Sequence, residues 1–295
     1  MKYGVVLPIW QLTVAEAASL AVRAEQLGLD GVFVPDHILA KPATTQHYGP
    51  HWPDPFSLLA YFAGRTERIH LGASVIVLPY RNALVAAKAA ATVDQASNGR
   101  FIFGVGVGWD EAEFVDLKLP FRERGSMSDD YIRAIRAAWA SDVPEYGGSY
   151  VSFSGATFSP RPVQRPHPPI WVGGLPGVVS APAVRRCAEL GDAWHPLALP
   201  LDAIEKGYAT LRDLATRRGR TGLDLCPRNL LDLTDRPKGE GRAAFQGSVD
   251  EVAADVRRVR ALGAGWMTFD LPRAGIGTMT QAMERLAREV RPAVG

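Results

Sequence analysis

Asp36 and His37 stand side by side at the end of a short apolar run, GVFV, that is typical of a buried strand. An imidazole titrates near neutral pH, so a histidine facing a cleft can bond a ring nitrogen or take a proton from a substrate. The adjacent carboxylate can orient that histidine or bond a cofactor. The competing interpretation is a histidine that only satisfies loop backbone, and sequence position alone favours neither interpretation.

Three alternating glycines, Gly104, Gly106 and Gly108, occupy a later apolar run. A dinucleotide-binding strand needs the spacing GxGxxG, and here Trp109 stands in the third glycine position, so that interpretation fails. The glycines either allow close backbone approach inside a strand or leave backbone bare for a flat ring, with Trp109 as a wall. The polar and aromatic residues at the other strand ends favour the flat ring.

Gly173 and Gly174 end another apolar run and precede a helix predicted to start near Ser180. Bare backbone N–H groups at the entrance of a helix bind phosphate well, so this turn is a candidate phosphate site. A plain turn is the alternative.

Other catalytic and metal-binding patterns are missing. The sequence has no GxSxG, P-loop, SxxK or HExxH motif. His47 and His51 with Asp54 form the only grouping that suggests a metal, and Pro50 prevents the two histidines from sharing a helical face. We therefore expect no metal site.

The composition points to a small partner. The chain has 295 residues, 33 Lys and Arg against 31 Asp and Glu, and a formal net charge of +2, too little to attract nucleic acid or an anionic membrane. No apolar run reaches the ~18 residues of a membrane helix, and the start MKYGVVLPIWQ lacks the long apolar core of a signal peptide. The two cysteines, Cys187 and Cys226, are expected to be buried thiols of a cytoplasmic protein.

Short apolar runs alternate with amphipathic segments along the whole chain. The runs are mostly apolar on both faces, as buried parallel strands are. They are Tyr3–Leu7, Gly31–Val34, His70–Leu78, Phe101–Val107, Pro169–Val172, Asp192–Trp194, Asn229–Leu233 and Trp266–Leu271.

Several helix starts are visible between these runs. Thr13, Ser248 and Thr278 each begin a capping box, with Glu or Gln three residues later. Asp54-Pro55 is typical of an N-cap followed by a proline in the first helical position.

Eight strands alternating with helices predict a (β/α)₈ barrel, and a doubly wound open sheet is the structural alternative. We expect residues 1–295 to form one domain, with an inserted hairpin and loop at about residues 145–168, before strand five. In either architecture the ligand lies at the carboxyl ends of the strands, where the residues described above gather.

Taken together, these stretches resemble the luciferase-like monooxygenase superfamily, and within it the branch of F420-dependent oxidoreductases. The resemblance covers roughly residues 3–197, and the C-terminal third matches mainly by its helix–strand rhythm. The matching stretches are AEQLGLDGVFVPDH, RTERIHLGASVIVLPYRN, AKAAATVDQASNGRFIFGVGVGWDEAEF, PPIWVGG and GDAWHP.

The resemblance implies a barrel, usually dimeric, with a tricyclic cofactor ring across the carboxyl ends of the strands. It places Asp36 and His37 at the ring and the reaction centre, with Glu113 close by, and these three are the candidate catalytic residues. It implies a non-prolyl cis peptide behind the ring at Ser74-Val75. The cofactor-binding residues that it implies are Asp36, Ser74, Val75, Gly106, Gly108 and Trp109 around the ring, and Gly173 and Gly174 at the phosphate tail.

The sequence departs from the sugar-phosphate dehydrogenases of this superfamily, which place tryptophan where this chain has Lys41. A glucose-6-phosphate type of substrate is therefore not expected. The predicted substrate walls are the loops 41–53 and 145–168. The predicted substrate contacts are Lys41, His47, Trp52, Trp194 and His195.

The resemblance implies hydride transfer between coenzyme F420 and a small organic substrate, with proton delivery by His37. The alternative is a monooxygenase that uses reduced FMN, dioxygen and a separate flavin reductase. A non-catalytic flavin carrier is a third hypothesis, and the retained Asp36-His37 pair argues against it.

Overall fold

The computed structural model describes residues 1–295. It contains fourteen β-strands, most of them short. They are β1 (Lys2–Val6), β2 (Gly31–Val34), β3 (His70–Ala73), β4 (Ile76–Val77), β5 (Phe101–Gly106), β6 (Tyr146–Gly147), β7 (Ser152–Phe153), β8 (Ile170–Gly173), β9 (Ala193–His195), β10 (Asp224–Leu225), β11 (Arg228–Leu230), β12 (Asp232–Leu233), β13 (Gln246–Gly247) and β14 (Trp266–Asp270).

Eleven α-helices separate these strands, and the last is joined to its predecessor by a π-helical segment, Leu286–Val290. None of the helices combines the length and the apolar character needed to cross a bilayer. The helices are α1 (Val14–Gln26), α2 (Pro42–Tyr48), α3 (Pro55–Ala63), α4 (Ala83–Ala96), α5 (Glu111–Asp116), α6 (Arg124–Ala140), α7 (Ala181–Leu190), α8 (Leu201–Thr216), α9 (Val249–Ala261), α10 (Ile276–Arg285) and α11 (Arg291–Val294).

The main sheet is parallel and curls. Its strand order is β10-β9-β8-β5-β3-β2-β1-β14-β11, with β4 paired to β5. The first and last strands of this path, β10 and β11, are separated in the chain only by Cys226 and Pro227. The Cys226 N–H donates to the Trp194 carbonyl (2.9 Å) and the Thr268 N–H donates to the Pro227 carbonyl (2.8 Å), so this stretch contacts both edges of the sheet. The molecule thus has an α/β fold of the TIM-barrel-like type.

Two layers of apolar side chains explain why the strand runs lack polar alternation. The larger core lies between sheet and helices. A smaller core fills the inside of the curl, where the Phe33 ring stacks on Trp171 (centroids 5.1 Å apart) and meets Trp266 edge-on (5.8 Å). Both faces of strands such as β2, β5 and β8 are therefore buried, as the apolar runs predict.

The helix starts test the capping predictions individually. Thr13 and Ser248 each form both hydrogen bonds of a capping box, and the Asp54 carboxylate accepts from the Ser57 N–H, so these three predictions are confirmed. The prediction for Thr278 is wrong. Helix α10 begins at Ile276 with Gly275 as its N-cap, since glycine also tolerates the extended N-cap conformation.

Two predicted strands are divided. The run predicted as His70–Leu78 is interrupted at Ser74-Val75, giving β3 and β4, and the run predicted as Asn229–Leu233 is divided between β11 and β12. The loop predicted at residues 41–53 contains helix α2, because Pro42 occupies its first turn, where the missing N–H costs nothing.

Residues 145–168 contain an antiparallel pair, β6 with β7, which lies against α6. Two carboxylates hold this segment. Asp130 accepts from the Tyr146 hydroxyl (2.6 Å) and the Tyr150 N–H (2.8 Å), and the fully buried Asp94 accepts from the Val163 N–H (2.7 Å).

Candidate active site

A cavity of about 900 Å³ opens at the carboxyl ends of the parallel strands. It is lined by residues that follow β2, β3, β5, β8, β11 and β14, so the curl of the sheet brings together segments from the whole chain. The lining includes most of the predicted site residues. These are Asp36, His37, Trp52, Ser74, Val75, Gly106, Gly108, Trp109, Gly173 and Gly174.

His37 is buried at this cavity and is held from one side only. Its Nδ1 lies 2.8 Å from Oε2 of Glu113, and because a carboxylate only accepts, Nδ1 carries the proton. Its Nε2 has no hydrogen-bond partner in the protein and keeps a lone pair available at the cavity. The ring lies between Trp52 (centroids 4.7 Å apart) and Trp109 (5.7 Å).

Glu113, in α5, is fully buried and accepts four hydrogen bonds. Besides His37, the donors are the Tyr80 hydroxyl (2.7 Å) and the backbone N–H groups of Ile38 (2.5 Å) and Leu39 (2.9 Å). Burial raises the pKa of Glu113, and the four hydrogen bonds outweigh it, so that the pKa lies below its usual value. The ionised Glu113 thus fixes both the ring and the tautomer of His37.

Asp36 lines the cavity, and its carboxylate is held by protein donors. Its carboxylate makes a bidentate ion pair with Arg81 (2.5 and 2.9 Å) and accepts from the Val77 N–H (2.9 Å). Burial raises the pKa of Asp36, although Arg81 and the Val77 N–H oppose this effect. With both oxygens engaged, Asp36 anchors the end of β2, where His37 begins the cavity wall.

The Ser74–Val75 peptide bond is cis, as the resemblance implies. The Val75 side chain then lies over β5 and β8. A Cβ atom on Gly106 would lie 2.5 Å from the Val75 side chain, and one on Gly173 would lie 2.9 Å from it. These glycines leave room for Val75, and Gly106, Gly173 and Val75 all line the cavity.

A buried polar network fixes the Ser74 side. The Nδ1–H of His195 donates to the Cys226 carbonyl (2.5 Å), which leaves Nε2 to accept from the Ser74 hydroxyl (2.7 Å). Arg228 donates to the Ser74 carbonyl (2.5 Å) and pairs with Asp270. Burial lowers the pKa of His195 to about 3, and nearby Arg228 adds to this effect, so His195 is neutral.

The opposite end of the cavity offers backbone N–H groups and cations. Helix α7 begins there beside Gly173 and Gly174, Ser180 makes no side-chain cap, and the N–H groups of Ala181 and Ala183 have no acceptor in the protein. Arg122, Arg124 and Arg186 also line the cavity, and Arg186, within α7, is paired with the Asp129 carboxylate. This combination suits an anionic group such as a phosphate.

Four predicted substrate contacts lie elsewhere. Trp194 is buried in the core against Gly207 of α8, and His195 is buried in the polar network. Lys41 pairs with Asp116, and His47 is bonded to the Ala43 carbonyl in exposed α2. None of these four residues lines the cavity. Residues 145–168 do not line it either, because they lie against α6. Their placement argues against the predicted contacts.

Several side chains of the site were not predicted. Tyr80 and Arg81 follow β4, Arg228 begins β11, and Arg273 lies three residues after the end of β14. The available signal was their position, since each is a polar residue at or just after an apolar run. Trp10 also lines the cavity, and its only signal was an aromatic residue shortly after the first strand. Tyr48, in contrast, belongs to the loop 41–53 that is predicted as a substrate wall, and it lines the cavity.

The family model for luciferase-like monooxygenases matches residues 1–228. An uncharacterized protein of Mycobacterium tuberculosis is 31% identical over 284 residues, which cover 88% of this chain and 98% of that protein.

Two relatives with named activities match over shorter stretches. The F420-dependent glucose-6-phosphate dehydrogenase of Amycolatopsis mediterranei is 36% identical over 168 residues, 56% of this chain and 49% of that enzyme. The FMNH₂-dependent dimethylsulfone monooxygenase of Pseudomonas putida is 35% identical over 133 residues, 44% of this chain and 35% of that enzyme. The relatives therefore include an enzyme named for coenzyme F420 and an enzyme named for FMNH₂.

Solved structures share the fold over the whole chain. A monooxygenase from Streptomyces bottropensis superposes with a TM-score of 0.84 at 22% identity, covering 100% of both chains. The coenzyme F420-dependent tetrahydromethanopterin reductase from Methanopyrus kandleri gives 0.81 at 19% identity, covering 100% of this chain and 99% of that one. With the family model matched from residue 1 to residue 228, the chain belongs to the luciferase-like monooxygenase family.

Proposed function

We propose that this protein is an oxidoreductase that transfers a hydride between coenzyme F420 and a small organic substrate. The observation that carries the proposal is His37, a buried histidine at the cavity with Nδ1 fixed by Glu113 and Nε2 unbonded. The similarity to an F420-dependent dehydrogenase supports the choice of coenzyme.

The residues present fit a tricyclic ring with a phosphate tail. Val75 and Trp109 provide apolar contact beside His37, and the entrance of α7 with Arg124 and Arg186 provides donors for the phosphate. When bound, coenzyme F420 supplies a ring carbon that gives or accepts a hydride.

The chain's own residues do the remaining work. Nε2 of His37 takes the proton that a hydroxyl or amine loses as its carbon is oxidised, and returns a proton in the reverse direction. Glu113 keeps the His37 ring in one orientation and stabilises its cationic form. Trp52 and Trp109 contact the ring of His37.

A monooxygenase that uses reduced FMN with dioxygen and a separate flavin reductase is the second candidate. The similarity to an FMNH₂-dependent monooxygenase favours it, and FMN also carries a tricyclic ring and a phosphate. Under that function His37 would serve an oxygenation reaction instead of a dehydrogenation.

Absorbance of the bound cofactor tests the choice. Purified protein is incubated with coenzyme F420 or with FMN, separated from free cofactor, and its spectrum is recorded, because a deazaflavin and an isoalloxazine absorb differently. We expect retention of coenzyme F420, followed by turnover with an enone, alcohol or imine from a screened set. Tight retention of FMN with no retention of F420 would overturn the first choice.

We further propose that residues 1–295 form a single (β/α)₈ barrel whose seventh strand is β10 continued by β11, with residues 145–168 as an insertion. The contacts of Cys226 and Pro227 with both sheet edges support the closure. We also propose a cytoplasmic homodimer, which the resemblance to this family supports.

A further inference from the structure

The cavity is lined by residues that follow several strands of the curled sheet. The glycine pair and the start of α7 follow β8, whereas Arg273 follows β14. On one side of the curl β9, β10 and β11 lie between these two strands, and on the other side β5, β3, β2 and β1 lie between them. The cation Arg273 therefore follows a strand that is not adjacent to the strand of the proposed phosphate end.

Arg273 stacks on aromatic rings. Its guanidinium lies 4.7 Å from the ring centre of Tyr48 and 5.6 Å from that of Trp10, and one N–H group donates to the His47 carbonyl (2.9 Å). The guanidinium has five N–H donors, so several stay available after this single bond. The side chain is held in place and still has donors to offer.

The carboxylates of the cavity do not neutralise Arg273. Five arginines and three aspartates line the cavity. Each aspartate is paired with a different cation, as Asp36 is with Arg81, Asp232 with Lys238 and Asp270 with Arg228. Arg273 has no carboxylate partner, so this end of the cavity carries an uncompensated positive charge.

The walls around Arg273 are aromatic. Trp10 contacts Tyr48 edge-on (centroids 4.9 Å apart) and Trp52 at a tilt (5.3 Å), and Trp52 in turn contacts the ring of His37 (4.7 Å). This aromatic wall, defined by Trp10, Tyr48 and Trp52, leads from Arg273 to the unbonded nitrogen of His37. Such a surface favours a ring or a conjugated chain over a flexible polar molecule.

From this arrangement we infer that the substrate is a planar, mainly apolar molecule that carries one anionic group. Its body lies on the aromatic wall, its anionic group bonds to Arg273, and its reacting carbon lies within reach of His37. This inference rests on the proposed function, because it names the substrate class of the same cavity.

Calorimetric titration with two matched probes tests it. Trans-cinnamate carries a carboxylate, and trans-cinnamamide has the same planar body without the charge. Each is titrated into protein saturated with whichever cofactor it retains. We expect cinnamate to bind about tenfold more tightly than cinnamamide, because one charge-assisted contact in a partly exposed site contributes roughly that factor.

The substitutions Arg273→Gln and Arg273→Ala are expected to weaken cinnamate about tenfold and leave cinnamamide unchanged, and Arg273→Lys is expected to keep part of the preference. Arg65→Ala is the matched control, because Arg65 is also exposed and stacks on a tyrosine, Tyr61, outside the cavity. It should change neither affinity.

Three outcomes would overturn the inference: equal affinity for both probes, no binding of either probe, or equal weakening of both by the Arg273 substitutions. The last would mean that Arg273 only completes the aromatic wall. Cofactor affinity is measured by absorbance in the same samples. Loss of the proposed function shows as absence of cofactor binding, and failure of the substrate class shows as cofactor binding without a preference for cinnamate.

Discussion

Glu113 determines what His37 can do. One of its oxygens accepts from both His37 and Tyr80, and the other accepts from two consecutive backbone N–H groups of the loop that carries His37. The carboxylate therefore fixes the loop and the imidazole together. This arrangement makes Glu113 a positioning residue that acts through His37, instead of a group that meets the substrate.

Removing the imidazole tests the catalytic role. His37→Ala is expected to lower turnover by about 10²- to 10⁴-fold, the usual contribution of a general acid or base, while cofactor binding persists. The measurement is deazaflavin absorbance against time, with a substrate from the screen. His51→Ala is the control, because His51 is exposed and lies outside the cavity lining. Unchanged turnover in His37→Ala would exclude the role.

The pKa of Glu113 predicts a pH dependence of stability. Its folded-state pKa is lowered, so the ionised form stabilises the fold at any pH above the unfolded value of about 4.3, and this contribution is lost as the pH falls through the folded value. Glu113→Gln should therefore lower the free energy of unfolding at neutral pH by about 1–3 kcal/mol, and the difference should shrink below about pH 4.

Urea unfolding at a series of pH values checks this prediction. The exposed neighbour Glu111→Gln provides the control and should follow the wild-type curve. A difference for Glu113→Gln that stays constant down to the lowest pH would contradict the assigned ionisation.

At the scale of elements, β3, β4, β5 and β8 form the floor of the cavity together. The sequence shows an alternation of glycines in β5, and the structure supplies the reason. Gly104 lies against the Ala73 carbonyl, whereas Gly106 and Gly173 lie against the Val75 side chain. Close packing of one strand segment over the next two strands thus accounts for these glycines, and the flat ring on bare backbone stays a prediction.

A double substitution tests this packing. Gly106→Ala is expected to lower the free energy of unfolding by about 1–3 kcal/mol, because its Cβ would lie 2.5 Å from Val75. Val75→Ala removes the opposing methyl group, so the double variant should be less destabilised than the sum of the single ones by about 1 kcal/mol or more.

Gly104→Ala is the control for the double substitution, because its Cβ would meet the Ala73 carbonyl oxygen at 1.9 Å, and Val75→Ala cannot relieve that contact. Urea unfolding is measured for the wild type, for the single variants of Gly104, Gly106 and Val75, and for the two double variants that combine a glycine substitution with Val75→Ala. These six proteins give the two coupling energies. Strict additivity for Gly106 and Val75 would show that the clash is absorbed elsewhere.

Helix caps give a second comparison at the element scale. Ser248→Ala should lower the free energy of unfolding by about 1 kcal/mol, because the Ser248 hydroxyl accepts from the Glu251 N–H. Thr278→Ala should raise the free energy of unfolding by a few tenths of a kcal/mol, since Thr278 lies within α10 and alanine is the better helix former. Thermal unfolding of both variants measures the contrast, and equal losses would show that Thr278 caps a helix after all.

At the scale of the whole molecule, the curl of the sheet is what makes a site. His37 follows β2, Glu113 lies in α5 after β5, the α7 entrance follows β8 and Arg273 follows β14. His37, the α7 entrance and Arg273 line one cavity, with Glu113 bonded to His37 behind it, and His37 and Arg273 are 236 residues apart in sequence. No local segment contains a working part of the site by itself.

The proposed homodimer makes a prediction at the same scale. Light scattering coupled to size-exclusion chromatography should give twice the chain mass of 31.9 kDa. This expectation rests on the family resemblance. Exposed apolar side chains such as Tyr61 on α3 and Val85 on α4 are compatible with contact between two copies of the chain. A monomer mass across a range of protein concentrations would contradict it.

The sequence by itself determined the strand and helix rhythm, two of three predicted capping boxes and the edge of the sheet where the ligand lies, because these depend on local periodicity and on the fixed direction of parallel strands. It also identified Asp36, His37 and the Ser74-Val75 peptide through stretches shared with a family.

Only the tertiary structure decided which neighbours these residues have. Asp36 forms an ion pair with Arg81, and His37 is fixed by Glu113. Trp194 points into the core, although the sequence predicts it at the carboxyl end of a strand, where the ligand lies. Adjacent strand residues point to opposite sides of a sheet, and side chains from distant strands meet only when the sheet curls, so partner and direction are properties of packing that a linear pattern does not contain.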